Sequence, residues 1–173
     1  MSTTVREPEK TKFTPAPEGL HRAVCVDVWD TWTEERPAQW GGGLVDKTRL
    51  IWQIDEINPE DGKPYGIAKK YTASLHEKAN LRHDLESWRG RKFSEEELKG
   101  FDLDKVVGVC CQLQILHTTK KSVTYANIQS IMPLAKGQDK IVPSKDYVRK
   151  KDRKAEPGMD AEPIEDDDDS VPF

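Results

Sequence analysis

The 173-residue chain carries 35% hydrophobic and 34% charged side chains with a mean hydropathy of −0.78, a composition that suits one modest core with polar ends rather than two domains. Its net charge of −4 conceals a split, because residues 155–173 hold eight acidic and no basic side chains while residues 1–154 hold 27 basic and 23 acidic ones. The pI near 5.6 therefore does not exclude a polyanionic partner for the body, whereas the lack of any apolar run near the roughly 20 residues of a span argues against a membrane helix.

Residues 1–18 are polar, contain Pro8, Pro15 and Pro17, and read as a flexible N-terminal arm ahead of a domain over 19–135. Val24, Val26 and Val28 then alternate with Cys25, Asp27 and Trp29, which predicts a first strand with one valine face. Pro37 and the Gly41, Gly42, Gly43 run predict a long mobile loop over 34–46. A second strand over 47–57 sets Leu50, Trp52 and Ile54 on one face and Arg49, Ile51 and Gln53 on the other. The Asn-Pro-Glu-Asp-Gly turn at 58–62 joins it to a third strand over 65–73, as in a hairpin.

The period then becomes helical. Ser74 and Glu77 have capping-box spacing, and Leu75, Ala79, Leu81, Leu85 and Trp88 share a face that Gly90 terminates. Ser94 and Glu97 repeat the spacing for a short second helix ending near Gly100. Val109, Cys111, Leu113 and Ile115 mark a fourth strand, and a turn near 119–121 leads to a fifth over 123–132, closed by Pro133. Residues 136–173 read as a flexible basic linker and an acidic C-terminal tail. The expected fold is thus mainly β with a helical insertion. Five antiparallel strands with a helix between the third and fourth is the element order of an OB-fold β-barrel; the same order also suits another small α+β sheet.

Catalysis is not expected. The chain has no Gly-x-Gly-x-x-Gly and no phosphate-loop motif, and its carboxylates fall in caps, turns and the tail. His21, His76, His83 and His117 are scattered, and Cys25, Cys110 and Cys111 include no Cys-x-x-Cys pair, so no metal and no cofactor are expected. Consecutive acids on a tail do not build a cation site. The cysteines read as reduced and buried, and the absence of a signal-peptide core points to a cytoplasmic protein, that of the host cell if the protein is phage-encoded.

Nucleic-acid binding is better supported. Sequence-tolerant capture of a single strand needs aromatic faces for stacking and cations along the phosphate path. Trp29 and Trp32 late in the first strand, Trp40 beside the three glycines, Arg49 on the second strand, and Tyr65, Lys69 and Tyr71 on one face of the third with Lys70 beside them form the candidate DNA-binding set. Trp52, which shares a face with Leu50 and Ile54, reads as core, as does Trp88; Tyr125 is assigned to neither role. Lys145, Arg149, Lys150, Lys151, Arg153 and Lys154 suit phosphate contact or a solvated linker equally well, and could also attract the acidic tail. A tail that covers the basic face until DNA displaces it is a further expectation.

Asp166, Asp167, Asp168 and Asp169, then Ser170, Val171, Pro172 and Phe173, form an acid block running into an apolar tip. The block resembles the C-terminal tip of bacterial single-stranded DNA-binding proteins, with Ser170 interrupting the acids and Val171 where isoleucine is usual. His76 to Arg82, Trp88-Arg89-Gly90, Gly100-Phe101-Asp102-Leu103 and Tyr125-Ala126-Asn127-Ile128 resemble a group of small phage-encoded replication proteins, several of them regarded as single-stranded DNA-binding proteins. That resemblance covers about residues 15–135 and implies an OB-fold with a role in bacteriophage DNA replication, recombination or repair. It assigns no stacking residue, and the body does not resemble the bacterial tetramer. The expected partners are single-stranded DNA and, through Asp166, Asp167, Asp168, Asp169, Val171, Pro172 and Phe173, replication or recombination proteins. A homo-oligomer is left open and a membrane is not expected. The alternatives are a protein-interaction adaptor of the replication machinery and an RNA-binding OB protein.

Overall fold

A computed structural model describes residues 14–152 of the chain. Its apolar alternation produces one antiparallel sheet of six strands: β1 (Gly19–Val28), β2 (Trp32–Glu35), β3 (Leu44–Ile57), β4 (Pro64–Thr72), β5 (Cys110–Lys120) and β6 (Val123–Met132). The order is β2-β3-β1-β5-β6, with β4 on the other edge of β3. Helices α1 (Asn80–Arg89) and α2 (Glu95–Leu98) lie between β4 and β5, where the sequence places a helical insertion. No helix among the described residues is long and apolar enough to cross a membrane.

Six strands replace the expected five because the first is interrupted over residues 29–31 and resumes as β2 along the same edge of β3. β2 and β3 close a hairpin through a 3-10 turn, Ala38–Trp40, and Gly41 at φ 99°. The loop expected over 34–46 therefore shrinks to 36–43. Within β1, Cys25 faces Trp52 and Asp27 faces Ile51, which leaves Val26 as a bulge. The bulge resets the alternation. Ala23, Cys25 and Val28 join the main core, whereas Val24 and Val26 are buried outside it, so the expected single valine face does not exist.

Leu50, Trp52 and Ile54 point into the core as the alternation predicts, and meet Ile67 and Tyr71 of β4, Cys111, Leu113 and Ile115 of β5, and Leu81, Leu85 and Trp88 of α1. The Trp52 and Trp88 rings lie 5.9 Å apart, and the Trp88 indole N–H donates to the Cys110 carbonyl at 3.0 Å. The sheet is not closed into a barrel: β4 and β6 approach each other without forming a ladder. Helix α1 spans that gap. Its Asp84 accepts from Lys69 Nζ (2.8 Å) and Tyr71 OH (2.6 Å) on β4, and its Ser87 hydroxyl donates to the Ile131 carbonyl (2.6 Å) on β6.

One of the two predicted capping boxes forms. Ser94 and Glu97 make theirs, and Glu97 also takes a two-pronged contact from Arg89. Ser74 instead accepts the His76 N–H in a turn, and α1 begins five residues later, after Ala79, with no side-chain cap. Gly90 ends α1 in the left-handed region as expected. Of the stretch read as an arm, residues 14–18 are described: Ala16 is buried in the core, its carbonyl accepts from His117 Nε2 (2.6 Å), and the Glu18 carboxylate accepts the His117 N–H (2.8 Å).

The β5–β6 hairpin turns through Lys121 (φ 48°) and Ser122 (φ 66°), two left-handed residues without a glycine between them. Such a turn favours Asn-Gly, and L side chains there cost about 1–2 kcal/mol each. The double change Lys121→Asn, Ser122→Gly should therefore stabilise the fold by about 1 kcal/mol. A higher urea midpoint at unchanged slope would show it.

Candidate functional site

Pairing of β3 with β4 sorts their side chains onto two faces. Thr48, Leu50 and Trp52 lie with Tyr71, Lys69 and Ile67, and the opposite face carries Lys47, Arg49 and Ile51 with Thr72, Lys70 and Ala68. Tyr65, Lys69 and Tyr71 do share a face, but it is the inward one. Tyr71 is 3% exposed, and burial pushes its phenol well above the ordinary value, with the Asp84 charge adding to the shift. Lys69 pairs with the same carboxylate, and Tyr65 packs against the core. Lys69 and Tyr71 thus brace α1, and with Tyr65 against the core the three offer no open surface of alternating rings and cations.

The outward face gathers the other candidates. Trp29 and Trp32 lie with ring centroids 6.1 Å apart on either side of the break between β1 and β2. Arg49 sets its guanidinium carbon 4.7 Å from the centre of the Trp29 ring, and Lys70 sets its ammonium 5.9 Å from that of Trp32. Glu34 ties the group together, accepting from the Trp32 indole (2.8 Å) and pairing with Lys70 (2.9 Å). Burial alone would raise the Glu34 carboxyl; the bonds from Trp32 and Lys70 and the charges of Lys70 and Lys47 overcome it and hold the group below the ordinary value. Arg49 is 8% exposed and the Lys70 side chain 5%, so both charges are recessed. Trp40 ends the 3-10 turn of the β2–β3 hairpin and is half-buried.

A segment that composition reads as linker completes the site. Residues 138–152 run back across the outward face of β5, β1 and β3 as a strap. Gln138 accepts from Gln112, the Asp139 carbonyl from Arg22 (3.1 Å) and the Ile141 carbonyl from the Cys110 thiol (3.0 Å), while the Ser144 N–H donates to Gln53 (2.8 Å). The strap is clasped at Asp27, which is 1% exposed and accepts from Tyr147 OH (3.0 Å), Arg149 Nε (3.1 Å) and the Lys150 N–H (2.8 Å). Arg149 also reaches Asp104 at 2.8 Å. The clasp leaves the Lys150 ammonium 3.6 Å from the centre of the Trp29 ring, an exposed cation–π contact worth about 0.5–1 kcal/mol. The Trp29 indole N–H is buried with no acceptor among the described residues.

Residue pattern alone pointed to Trp29, Trp32, Arg49 and Lys70, left Lys150 open between phosphate contact and a solvated linker, and missed Asp27 and Tyr147 as parts of the site. The available signal was a lone acid inside the apolar run Val24-Cys25-Val26-Asp27-Val28. Asp166, Asp167, Asp168, Asp169, Val171, Pro172 and Phe173 lie outside the described residues. Among the described residues, no group of three or more His, Cys, Asp or Glu side chains is placed to hold a metal ion. No protein-family model matches the chain, and comparison with curated proteins finds no match.

Asp27→Asn should loosen the strap, because a neutral amide cannot accept all three donors with the strength of a carboxylate. Amide exchange at Ser144 and Lys150 should accelerate about tenfold or more, measured against the β3 amides of Leu50 and Trp52 as a reference for global unfolding.

Proposed function

We propose that the protein binds single-stranded DNA without sequence preference and serves phage DNA replication, recombination or repair through that binding. The observation that carries the reading is the outward cluster in which Trp29 and Trp32 interleave with Arg49, Lys70 and Lys150. Indole faces stack on any base, contributing about 1–3 kcal/mol per base, and the neighbouring cations supply a field that attracts phosphates. Exposed Lys150 reaches solvent directly, while Arg49 and Lys70 act from below the surface.

The OB reading of the sheet supports the same conclusion. With β1 and β2 taken as one interrupted strand, β1 lies between β3 and β5, β4 pairs with β3, β6 pairs with β5, and the helices fall between β4 and β5. Those are the neighbour relations of an OB-fold whose closing ladder is absent, and β3 and β4 then occupy the two strands that usually face the oligonucleotide. The excess of basic over acidic residues in 1–154 favours a polyanion, and the composition of 166–173 suits recruitment of replication proteins by an acidic, apolar-tipped segment.

Titration of the intrinsic tryptophan fluorescence tests this. Oligo-dT should quench it with an affinity that falls as salt rises, and duplex DNA should not compete. Trp32→Ala should weaken oligo-dT binding by about 1–3 kcal/mol. Stronger quenching by oligo-U would reassign the ligand to RNA, and no quenching by either would favour the adaptor reading.

A further inference from the structure

Two cations lie over Trp29, and they differ in one respect that decides their roles. Arg49 is buried in the sheet, while Lys150 is exposed at the end of the strap and meets the ring through a long, flexible stem. A base stacked on an indole contributes more than an exposed ammonium over the same ring, so a ligand base can take the face that Lys150 now covers.

We propose that Trp29 is the base-stacking residue of the site and that Lys150 is its exchangeable cover: a base displaces the ammonium, which then pairs with a phosphate of the bound strand. The Asp27 clasp makes this economical. It holds the Lys150 backbone N–H at 2.8 Å, so only the side chain has to move and its charge stays beside the strand. The strap thereby becomes part of the binding surface, and Asp27, Tyr147 and Arg149 are positioning residues that never touch the ligand. The inference rests on the single-strand reading of the site.

The test compares full-length wild type, Lys150→Ala, Lys150→Arg and Trp29→Ala for oligo-dT affinity across a salt series. Each phosphate contact on a single strand contributes about 0.7 to the slope of log affinity against log salt. Lys150→Ala should reduce the slope by about that amount and weaken binding several-fold near physiological salt, Lys150→Arg should restore both, and Trp29→Ala should weaken binding about tenfold or more with the slope retained. Tighter binding by Lys150→Ala at unchanged slope would make Lys150 a plain competitor and overturn the exchange. Unchanged affinity and slope would reduce the contact to a structural one, with the same result for the proposal. Failure of wild type itself to bind oligo-dT is a separate outcome, which removes the single-strand reading and the exchange with it.

Discussion

A carboxylate at 1% exposure in the middle of an apolar strand is the constraint around which the outward half of this molecule is arranged. An unpaired charge buried there would cost several kcal/mol, so Asp27 has to be matched by donors. Its own sheet neighbours are committed to the ladder, and the donors arrive from more than a hundred residues away: a phenol, a guanidinium and a backbone N–H, all within 3.1 Å. Satisfying that one group draws residues 138–152 across the sheet, buries Val24 and Val26 on the face away from the main core, and delivers Lys150 to Trp29.

The bulge at Val26 is what places Asp27 on the outward side. Without the extra residue, strict alternation would put Asp27 on the face of Ala23 and Cys25, inside the core and away from Tyr147, Arg149 and Lys150. The bulge and the break over residues 29–31 also bend the first strand around β3, so that Trp29 and Trp32 lie on the same face as Arg49 and Lys70. On the inward side Asp84 does the comparable work. By accepting from both Lys69 and Tyr71 it fastens α1 to β4, while Ser87 fastens the same helix to β6, and the helix covers the opening that backbone pairing leaves.

Much of the scaffold was legible because single-segment physics governs it. The alternation of Leu50, Trp52 and Ile54 marked the inward face of β3, Ser94 and Glu97 marked a real cap, and Gly90 marked a real helix end. The failures share a cause. Alternation reports that Tyr65, Lys69 and Tyr71 share a face without reporting which side that face looks to, and a capping-box spacing such as that of Ser74 and Glu77 does not compel the cap when the chain can close a turn instead. The valine face of β1 was misread because a bulge leaves no compositional mark, and the β2–β3 hairpin was hidden because Pro37 and three glycines look the same in a tight turn as in a long loop.

The site divides along the same line. Sequence by itself determined that the body is a small antiparallel β structure with helices before its last two strands, and that tryptophans and cations concentrate in its first half; these follow from periodicity and composition, which local residues set. Tertiary structure decided which of those rings and charges face outward together, and that a polar stretch of 138–152 is part of the folded unit. It could not be otherwise, because the strap is held by side chains of distant strands and clasped by a buried carboxylate 120 to 123 positions before its donors, and hydrogen bonds across that distance leave no local pattern to read.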